Sequence, residues 1–305
     1  MTATNESGQL INEINRLKKE RRAVILAHNY QQTEIYEVAD FIGDSLELAR
    51  QAAKVASEMI VFCGVQFMAE TAKLVNPERR VVLANPQAGC QMADMITAAG
   101  LLKKKAAMGE VLVVAYVNTP VTVKAEADVC CTSANAVRVV RSLPADRKIL
   151  FVPDKNLARW VEVQTGREII PWDGFCYVHA QFTTDDVRRA RQEHPRALIV
   201  VHPECPLEVI QLADRVASTS GMVQMAAENE ELVLGTEAGL CNRISREFPQ
   251  CRCYPLRRTA ICRNMKITRL QDVKRALLGE VPAVEIPEEV AIRARQALNR
   301  MLAIS

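Results

Sequence analysis

The feature that most constrains the fold is an internal repeat marked by three apolar runs. Residues 23–30, 111–118 and 197–204 are rich in Val, Ile, Leu and Ala. Such near-continuous runs are typical of parallel strands that are buried on both faces. Each run ends in two polar residues at alternate positions, which places both on one side of the strand end. These pairs are His28 and Tyr30, Tyr116 and Asn118, and His202 and Glu204.

A matching segment follows each run: ADFIGDS, ADVCCTS and ADRVAST. In each repeat a hydroxyl residue lies 17 residues after the first polar residue of the strand end, at Ser45, Ser133 and Thr219. Helical patterns begin at these positions, where a hydroxyl can cap the helix and the free N–H groups can bind an anion. We therefore predict that all three hydroxyls contact a ligand. The aspartates Asp40, Asp128 and Asp214 are predicted to be structural, bonding the backbone at the turn before the helix.

The repeat also places three cysteines at equivalent positions. A second apolar strand and then a third, shorter one lead to Cys90, Cys176 and Cys262, with a spacing of 86 residues in both intervals. The repeat predicts a β-α-β-α-β-α module that occurs three times. The expected fold class is α/β, with three homologous three-layer αβα domains, parallel sheets and a pseudo-threefold arrangement around a central active site. The modules are predicted at residues 1–105, 106–193 and 194–305, with a C-terminal helix that packs back on the first.

The three cysteines predict a metal centre. Ligands of parallel α/β sheets bind beyond the carboxyl ends of the strands, so three thiolates would converge there. Zinc with three Cys and a water is one interpretation, but ligation by thiolates alone favours an iron–sulfur cluster. In a [4Fe–4S] cluster, three Cys leave one iron without a protein ligand, and this iron can act as a Lewis acid. Acid–base and neutral donor groups around it indicate dehydration or condensation of a small anionic substrate.

Motifs along nearly the whole chain resemble those of the quinolinate synthase family. In order they are HNY, GDSLELAR, GVQFMAETAK, AGCQMADM, YVNT, CTSANA, FVPDKNLA, GFCYVH, HPEC, GTEAGL and CRNMKIT. This resemblance implies condensation of iminoaspartate with dihydroxyacetone phosphate to quinolinate, releasing phosphate and water, in NAD biosynthesis. It also implies an oxygen-sensitive [4Fe–4S] cluster whose fourth iron faces the substrate.

The resemblance assigns roles to residues of this sequence. It implies that Cys90, Cys176 and Cys262 bind the cluster. Tyr30 and Glu204 correspond to a proton-transfer pair, and His202 and Tyr116 are expected to join them in catalysis. The groups that hold substrate carboxylates or phosphate correspond to His28, Ser45, Ser133, His202 and Thr219, while Tyr116, Asn118 and His179 complete the pocket.

Composition and charge limit the partners. The net charge of +3 does not indicate a nucleic-acid surface, and no apolar stretch approaches the length of a membrane span. The amino-terminal segment lacks the apolar core of a signal peptide, which favours a cytoplasmic location. The family resemblance implies small-molecule substrates and a functional link to L-aspartate oxidase as the source of iminoaspartate.

Some alternatives remain open at the level of sequence. A zinc-dependent hydrolase would use the same three cysteines, and a non-catalytic three-lobed binding protein would retain the repeat. Cys205 is a rival ligand because it adjoins Glu204, although no cysteine occurs at the matching place in the other repeats. Cys251 and Cys253 form a C-x-C pair that differs from the C-x-x-C-x-x-C pattern of some family members. Gln66 stands where many members have His, and no role is assigned to it.

Overall fold

The computed structural model describes residues 2–304 and their side chains from residue 6 onward. The first predicted module forms a parallel sheet of β1 (Ala23–His28), β2 (Phe41–Gly43), β3 (Met59–Cys63) and β4 (Arg80–Leu83). Its helices are α1 (Thr2–Glu20), α2 (Thr33–Tyr36), α3 (Ser45–Lys54) and α4 (Gln66–Val75). A short 3₁₀ helix (Ala93–Met95) and α5 (Ala98–Met108) follow the sheet.

The second module repeats this succession. Its strands are β5 (Leu112–Tyr116), β6 (Val129–Cys131), β7 (Ile149–Val152) and β8 (Ile169–Pro171). Its helices are α6 (Val121–Lys124), α7 (Ala136–Ser142), α8 (Lys155–Thr165) and α9 (Thr184–Glu193).

The third module has the strands β9 (Leu198–Val201), β10 (Arg215–Val216), β11 (Glu231–Gly235) and β12 (Arg252–Pro255). Its helices are α10 (Leu207–Leu212), α11 (Thr219–Met225) and α12 (Leu240–Glu247). A 3₁₀ helix (Asn264–Lys266), α13 (Leu270–Leu278) and α14 (Glu288–Ile304) complete the described chain.

The three sheets share one topology, which confirms the repeat and the α/β class. Their strand orders are β2-β1-β3-β4, β6-β5-β7-β8 and β10-β9-β11-β12, and all the strand pairings among the described residues are parallel. The first strand of each module lies inside its sheet and is almost wholly buried. Near-continuous apolar sequence is what such a position requires, because helices cover both faces of the sheet.

Each sheet has one more strand than the sequence predicted. The additional strands β2, β6 and β10 lie at the sheet edge, within the segments that were interpreted as turns leading to a helix. They contain only two or three residues each, so no alternating or continuous apolar pattern could reveal them. The module is therefore a four-stranded rather than a three-stranded unit.

The repeated aspartates fasten these edge strands to the sheet. Oδ2 of Asp40 accepts a hydrogen bond from the N–H of Ile25 at 2.8 Å. Asp128 and Asp214 accept in the same way from Val113 at 2.7 Å and from Ile199 at 2.9 Å. The prediction that these aspartates bond backbone is confirmed, but their partners lie on the first strand of the module and not at the turn before the helix.

The helix that follows each repeated cysteine packs on the next module in the chain. Helix α5 contacts α6, and α9 contacts α10 and β9. Helix α13 contacts α1 and β3, so it is the element that returns to the first module. The last helix, α14, packs on α6, β6 and α7 of the second module, where the sequence led us to expect the first. Its buried face carries Ala294, Ala297, Leu298 and Met301 at helical spacing.

The chain divides into two compact units. The first unit comprises Met1–Cys90 and Cys262–Ile286, and the second comprises Gln91–Ile261 and Pro287–Ser305. The core of the first unit joins Ile14, Ile25 and Val61 to Val273 and Leu277, which are distant in sequence. The bounds of the three modules remain a prediction, and the first of them, at residues 105 and 106, falls inside α5. None of the helices within residues 2–304 is both long enough and apolar enough to cross a lipid bilayer.

Candidate active site

Glu204 is the centre of a buried polar cluster in the second unit. It follows β9, and its side chain is only 3% exposed. Its Oε1 accepts a hydrogen bond from the hydroxyl of Tyr116 at 2.6 Å. Its Oε2 lies 2.6 Å from Nδ1 of His179, a distance at which the two groups can form an ion pair. The contact does not meet the geometric criteria for a hydrogen bond. Two strand ends and the loop after β8 thus bring together three residues that the sequence assigned to the site.

His202 joins this cluster as a neutral donor. Its ring stacks on that of His179, with centroids 4.4 Å apart and an interplanar angle of 19°. The backbone N–H of Glu204 donates to Nδ1 of His202 at 3.3 Å. In a neutral ring the proton therefore resides on Nε2, which lies 3.2 Å from Oγ of Ser133. His202 and Ser133, predicted to bind substrate together, are hydrogen-bonded neighbours.

Two carboxyl groups near this cluster have pKa values shifted in opposite directions. Burial raises the pKa of Glu204, but His179, His202 and the hydrogen bond from Tyr116 outweigh burial and lower this pKa to about 2. Burial, followed by the charge of Glu204, raises the pKa of Asp154 well above its ordinary value. Glu204 is therefore ionised at neutral pH, whereas Asp154 binds a proton more readily than an ordinary aspartate does.

Burial also keeps His202 uncharged at neutral pH. Burial and then the charge of His179 lower the pKa of His202 to about 3, with Glu204 acting in the opposite sense. A neutral ring with its proton on Nε2 donates a hydrogen bond to an oxygen of a ligand and does not act as a cation. This property suits His202 to holding a carboxylate or carbonyl oxygen.

Cys176 lies beside the buried polar residues around Glu204. Ligand atoms of Cys176, His179 and Glu204 all lie within 4.8 Å of one another, so these residues could hold a metal ion. The N–H of Cys176 donates to Oδ2 of Asp154 at 3.1 Å. The thiol and the acid–base groups of the second unit thus belong to one site.

The first unit contains the remaining predicted site residues, which are His28, Tyr30, Ser45, Cys90 and Cys262. His28 is the last residue of β1 and Tyr30 follows the strand, and their rings meet edge-on with centroids 4.6 Å apart. The N–H of Tyr30 donates to Nδ1 of His28 at 3.2 Å, which is the same local arrangement as Glu204 and His202 in the third module. The ammonium group of Lys266 donates to the carbonyl oxygen of Tyr30. Strand ends of two different modules therefore present an acid–base residue with equivalent backbone geometry.

The segments that carry Cys90 and Cys262 are joined in the first unit. The side-chain amide of Asn264 donates to the carbonyl oxygen of Gly89 at 2.8 Å. Gly89 immediately precedes Cys90, and Asn264 lies two residues after Cys262. Both cysteines are half-buried, as is Cys176 in the second unit. Ligation by all three remains a prediction.

The repeated hydroxyls do not cap helices, which corrects one part of the sequence interpretation. Asp44 caps α3 by accepting from the N–H groups of Leu46 and Glu47, and Ser218 caps α11. Ser45 and Thr219 are the first residues of these helices, one position after the cap, and Ser133 lies in the turn before α7. Asp44 and Ser218 are residue types that cap helices as well as the predicted Ser45 and Thr219 do. The sequence pattern could therefore not locate the cap to within one residue.

Most of the remaining cysteines are core residues. Cys63, Cys130, Cys131 and Cys205 are fully buried, and burial raises the pKa of each thiol. Cys205 donates to the carbonyl oxygen of Gly235, as expected of a structural thiol. Sγ of Cys253 lies 2.8 Å from Sγ of Cys241, so the close neighbour of Cys253 is on α12 and is not Cys251.

Sequence analysis missed three residues of the site, which follow the third strand of a module in chain order. Thr236 comes after β11, and its hydroxyl lies 2.9 Å from Nε2 of His179. Asp154 and Asn156 come after β7, and Asn156 donates to the carbonyl oxygen of Glu204 at 3.1 Å. Their motifs, FVPDKNLA and GTEAGL, were signals that could have found them, since all strands of a parallel sheet end at one edge. Asn118, a predicted site residue, has a buried Oδ1 that accepts no hydrogen bond among the described residues.

The chain is similar to known proteins along almost its whole length. A family model described as quinolinate synthetase A protein matches residues 12–303. The chain belongs to this family. The quinolinate synthase of Desulforudis audaxviator is 49% identical over 300 residues, which cover 98% of this chain and 99% of the relative. That of Methanoregula boonei is 50% identical over 302 residues, covering 98% and 100% of the two chains, and that of Thermodesulfovibrio yellowstonii is 50% identical over 297 residues, covering 96% and 98%.

Membership of the quinolinate synthetase A family confirms that the chain is an enzyme. It also confirms the resemblance carried by the sequence motifs, since the match extends through all three modules. A non-catalytic three-lobed binding protein is thereby excluded.

Proposed function

We propose that the chain condenses iminoaspartate with dihydroxyacetone phosphate to form quinolinate, releasing phosphate and water, as a cytoplasmic step of NAD biosynthesis. Its relatives of about equal length bear the name quinolinate synthase, and the alignments leave almost no part of either chain unmatched. The reaction requires proton transfers at carbon and at leaving hydroxyl groups, so the site must contain residues of differing acidity.

The observation that carries this proposal is the environment of Glu204. An ionised, buried carboxylate lies within reach of the Tyr116 hydroxyl and the His179 ring, beside the thiol of Cys176. Glu204 accepts a proton from the substrate and later delivers it to the leaving hydroxyl group, and the Tyr116 hydroxyl stabilises the ionised carboxylate through its hydrogen bond. Tyr30, which has the equivalent position in the first module, is the second member of the proton-transfer pair.

The residues present fit a [4Fe–4S] cluster held by Cys90, Cys176 and Cys262. Soft thiolate ligands select iron–sulfur clusters, and these three thiols are half-buried while four other cysteines are fully buried core residues. When bound, the cluster supplies a Lewis-acidic iron that polarises a hydroxyl or carbonyl oxygen of the substrate. The chain's own contribution is to hold the ligands, orient the substrate and move protons.

Neutral donors hold the anionic parts of the substrates. His202 offers its Nε2–H, and Ser133 lies against it. By their repeat positions, His28, Ser45 and Thr219 bind carboxylate or phosphate oxygens in the same way, and Asn118 completes the pocket. We infer a pseudo-threefold arrangement of modules 1–105, 106–193 and 194–305, since equivalent residues of all three then face one substrate. L-aspartate oxidase supplies the iminoaspartate.

The ligand assignment is tested by comparing Cys176→Ala with Cys205→Ala after anaerobic purification. The first variant should lose iron, sulfide and quinolinate formation together, because a cluster with two thiolates is not retained. The second should keep all three, because Cys205 is a buried structural thiol. Full iron content and activity in Cys176→Ala would refute the assignment. About one zinc per chain and no sulfide in the unaltered protein would instead favour the zinc site.

A further inference from the structure

One helix start ties two loops of the active site together. Helix α8 begins directly after Asp154, whose Oδ1 accepts from the N–H of Leu157 at 2.7 Å and caps the helix. The other carboxylate oxygen, Oδ2, accepts from the N–H of Cys176 at 3.1 Å. Two residues later, Asn156 donates to the carbonyl oxygen of Glu204 at 3.1 Å. A metal-ligand loop and an acid–base residue are thus fastened to the same turn.

The backbone reinforces the contact between Asp154 and the Cys176 loop. Asp154 and Gly174 form an isolated parallel bridge three residues beyond Phe151 and Pro171, the last pair of β7 with β8, and in the same register. The N–H of Lys155 donates to the carbonyl oxygen of Gly174, and the N–H of Gly174 donates to that of Pro153. A Cβ on Gly174 would lie 2.5 Å from the Pro153 oxygen, so a residue with a side chain would push the loop away.

Capping alone does not explain an aspartate at this position. A cap needs one side-chain acceptor, and Ser or Thr supplies it elsewhere in the chain, as Thr183 does for α9. At Asp154 the second oxygen is directed to Cys176, and the side chain is fully buried. Burying a carboxyl group is costly, so its two oxygens are expected to serve separate partners.

We propose that Asp154 is a positioning residue that fixes Cys176 as a metal ligand, and that Asn156 fixes Glu204 from the same helix start. The part concerning Cys176 rests on the proposed function, because it assumes that this thiol binds the cluster. Groups that orient metal ligands commonly change metal affinity by roughly 10–100-fold when they are replaced. Asp154 acts through the loop that it holds.

The first test replaces Asp154 by Ser and by Asn. Ser retains a capping hydroxyl but has no second acceptor, and Asn has one oxygen for two N–H donors. Hydrogen exchange of the Cys176 amide, measured on cluster-free protein, should be at least about tenfold faster in Asp154→Ser. After anaerobic reconstitution, release of iron to a chelator should be roughly 10–100-fold faster in both variants. Exchange and iron release both equal to those of the unaltered protein would overturn the proposal.

Two further variants separate positioning from general loss of stability. Thr97→Ala removes the exposed hydroxyl that caps α5 by accepting from the N–H of Gly100, so it should lower the melting temperature and leave iron release unchanged. Asn156→Ala should lower turnover several-fold and alter its pH profile, yet leave iron release unchanged. Iron release accelerated equally by Thr97→Ala would show that Asp154 acts only on stability. The exchange measurement needs no cluster, so absence of iron from the unaltered protein would refute the proposed function while still testing the bond to Cys176.

Discussion

Replacement of Glu204 by Gln tests the centre of the site with the smallest change of shape. Gln retains an oxygen that can accept from the hydroxyl of Tyr116, but it carries no charge opposite His179 and cannot accept a proton. Loss of a positioned acid–base group costs about 10²–10⁴-fold in rate. We therefore expect quinolinate formation to fall by that factor, with iron and sulfide content unchanged, because Glu204 is not one of the proposed cluster ligands.

The same substitution should change stability in a pH-dependent way. The pKa of Glu204 is lowered from 4.5 to about 2 in the folded protein, which corresponds to at most about 3 kcal/mol of unfolding free energy. This stabilisation is present above the unfolded pKa and is lost as pH falls from about 4.5 towards 2. Glu204→Gln should therefore be less stable at pH 7, by less than this limit because Gln no longer repels Asp154. The deficit should shrink as the solution is acidified.

The assay combines anaerobic quinolinate formation, iron and sulfide analysis, and urea unfolding between pH 7 and pH 3. Asp186→Asn serves as the matched control, since Asp186 is also a buried carboxylate but is bound to Arg257 and Arg189. That variant should lose stability and keep turnover within about threefold. Turnover of Glu204→Gln within about twofold of the unaltered protein, with its cluster intact, would refute a proton-transfer role for Glu204.

Two other predictions follow from single contacts. Thr236→Val removes the hydroxyl that lies 2.9 Å from Nε2 of His179, so turnover should fall about tenfold. Thr236→Ser keeps the hydroxyl and should restore turnover. Equal losses of turnover in both variants would contradict a role for the hydrogen bond to His179. Diamide, which accepts two electrons and two protons from a pair of thiols, should form a disulfide between Cys241 and Cys253, because their sulfurs lie 2.8 Å apart. Peptide mapping under non-reducing conditions identifies the disulfide. A Cys251–Cys253 disulfide would show that the short distance between Cys241 and Cys253 does not decide which thiols react.

The sequence predicts the repeat and the strand ends well, for a physical reason. Strands that are buried on both faces need continuous apolar residues. Polar residues at their carboxyl ends bind ligands, so an apolar run followed by polar residues can be recognised in a single sequence. His202, Glu204 and Tyr116 were found in this way, and the structure brings them together with His179.

The features that could not be predicted depend on hydrogen bonds made by very short strands or by single side chains. The edge strands contain two or three residues, which is too few for a periodic pattern. The role of Asp154 depends on a backbone N–H 22 residues away at Cys176, and a capping aspartate looks the same whether or not its second oxygen is used. Tertiary packing also decides which module a helix packs against. The sequence therefore showed that α14 is amphipathic, but not that it packs on the second module.

The return of α13 to the first module has a consequence for the order of events during synthesis. Leu270, Val273 and Leu277 complete the core around β1, so the first unit lacks part of its interior until the ribosome has made most of the chain. The second unit includes a continuous stretch, Gln91–Ile261, that emerges earlier. Domains generally fold as units during translation, in the order in which their residues emerge. The segments that carry Cys90 and Cys262 can therefore meet only after most of the chain has been synthesised, so a cluster held by the three proposed ligands would be inserted late.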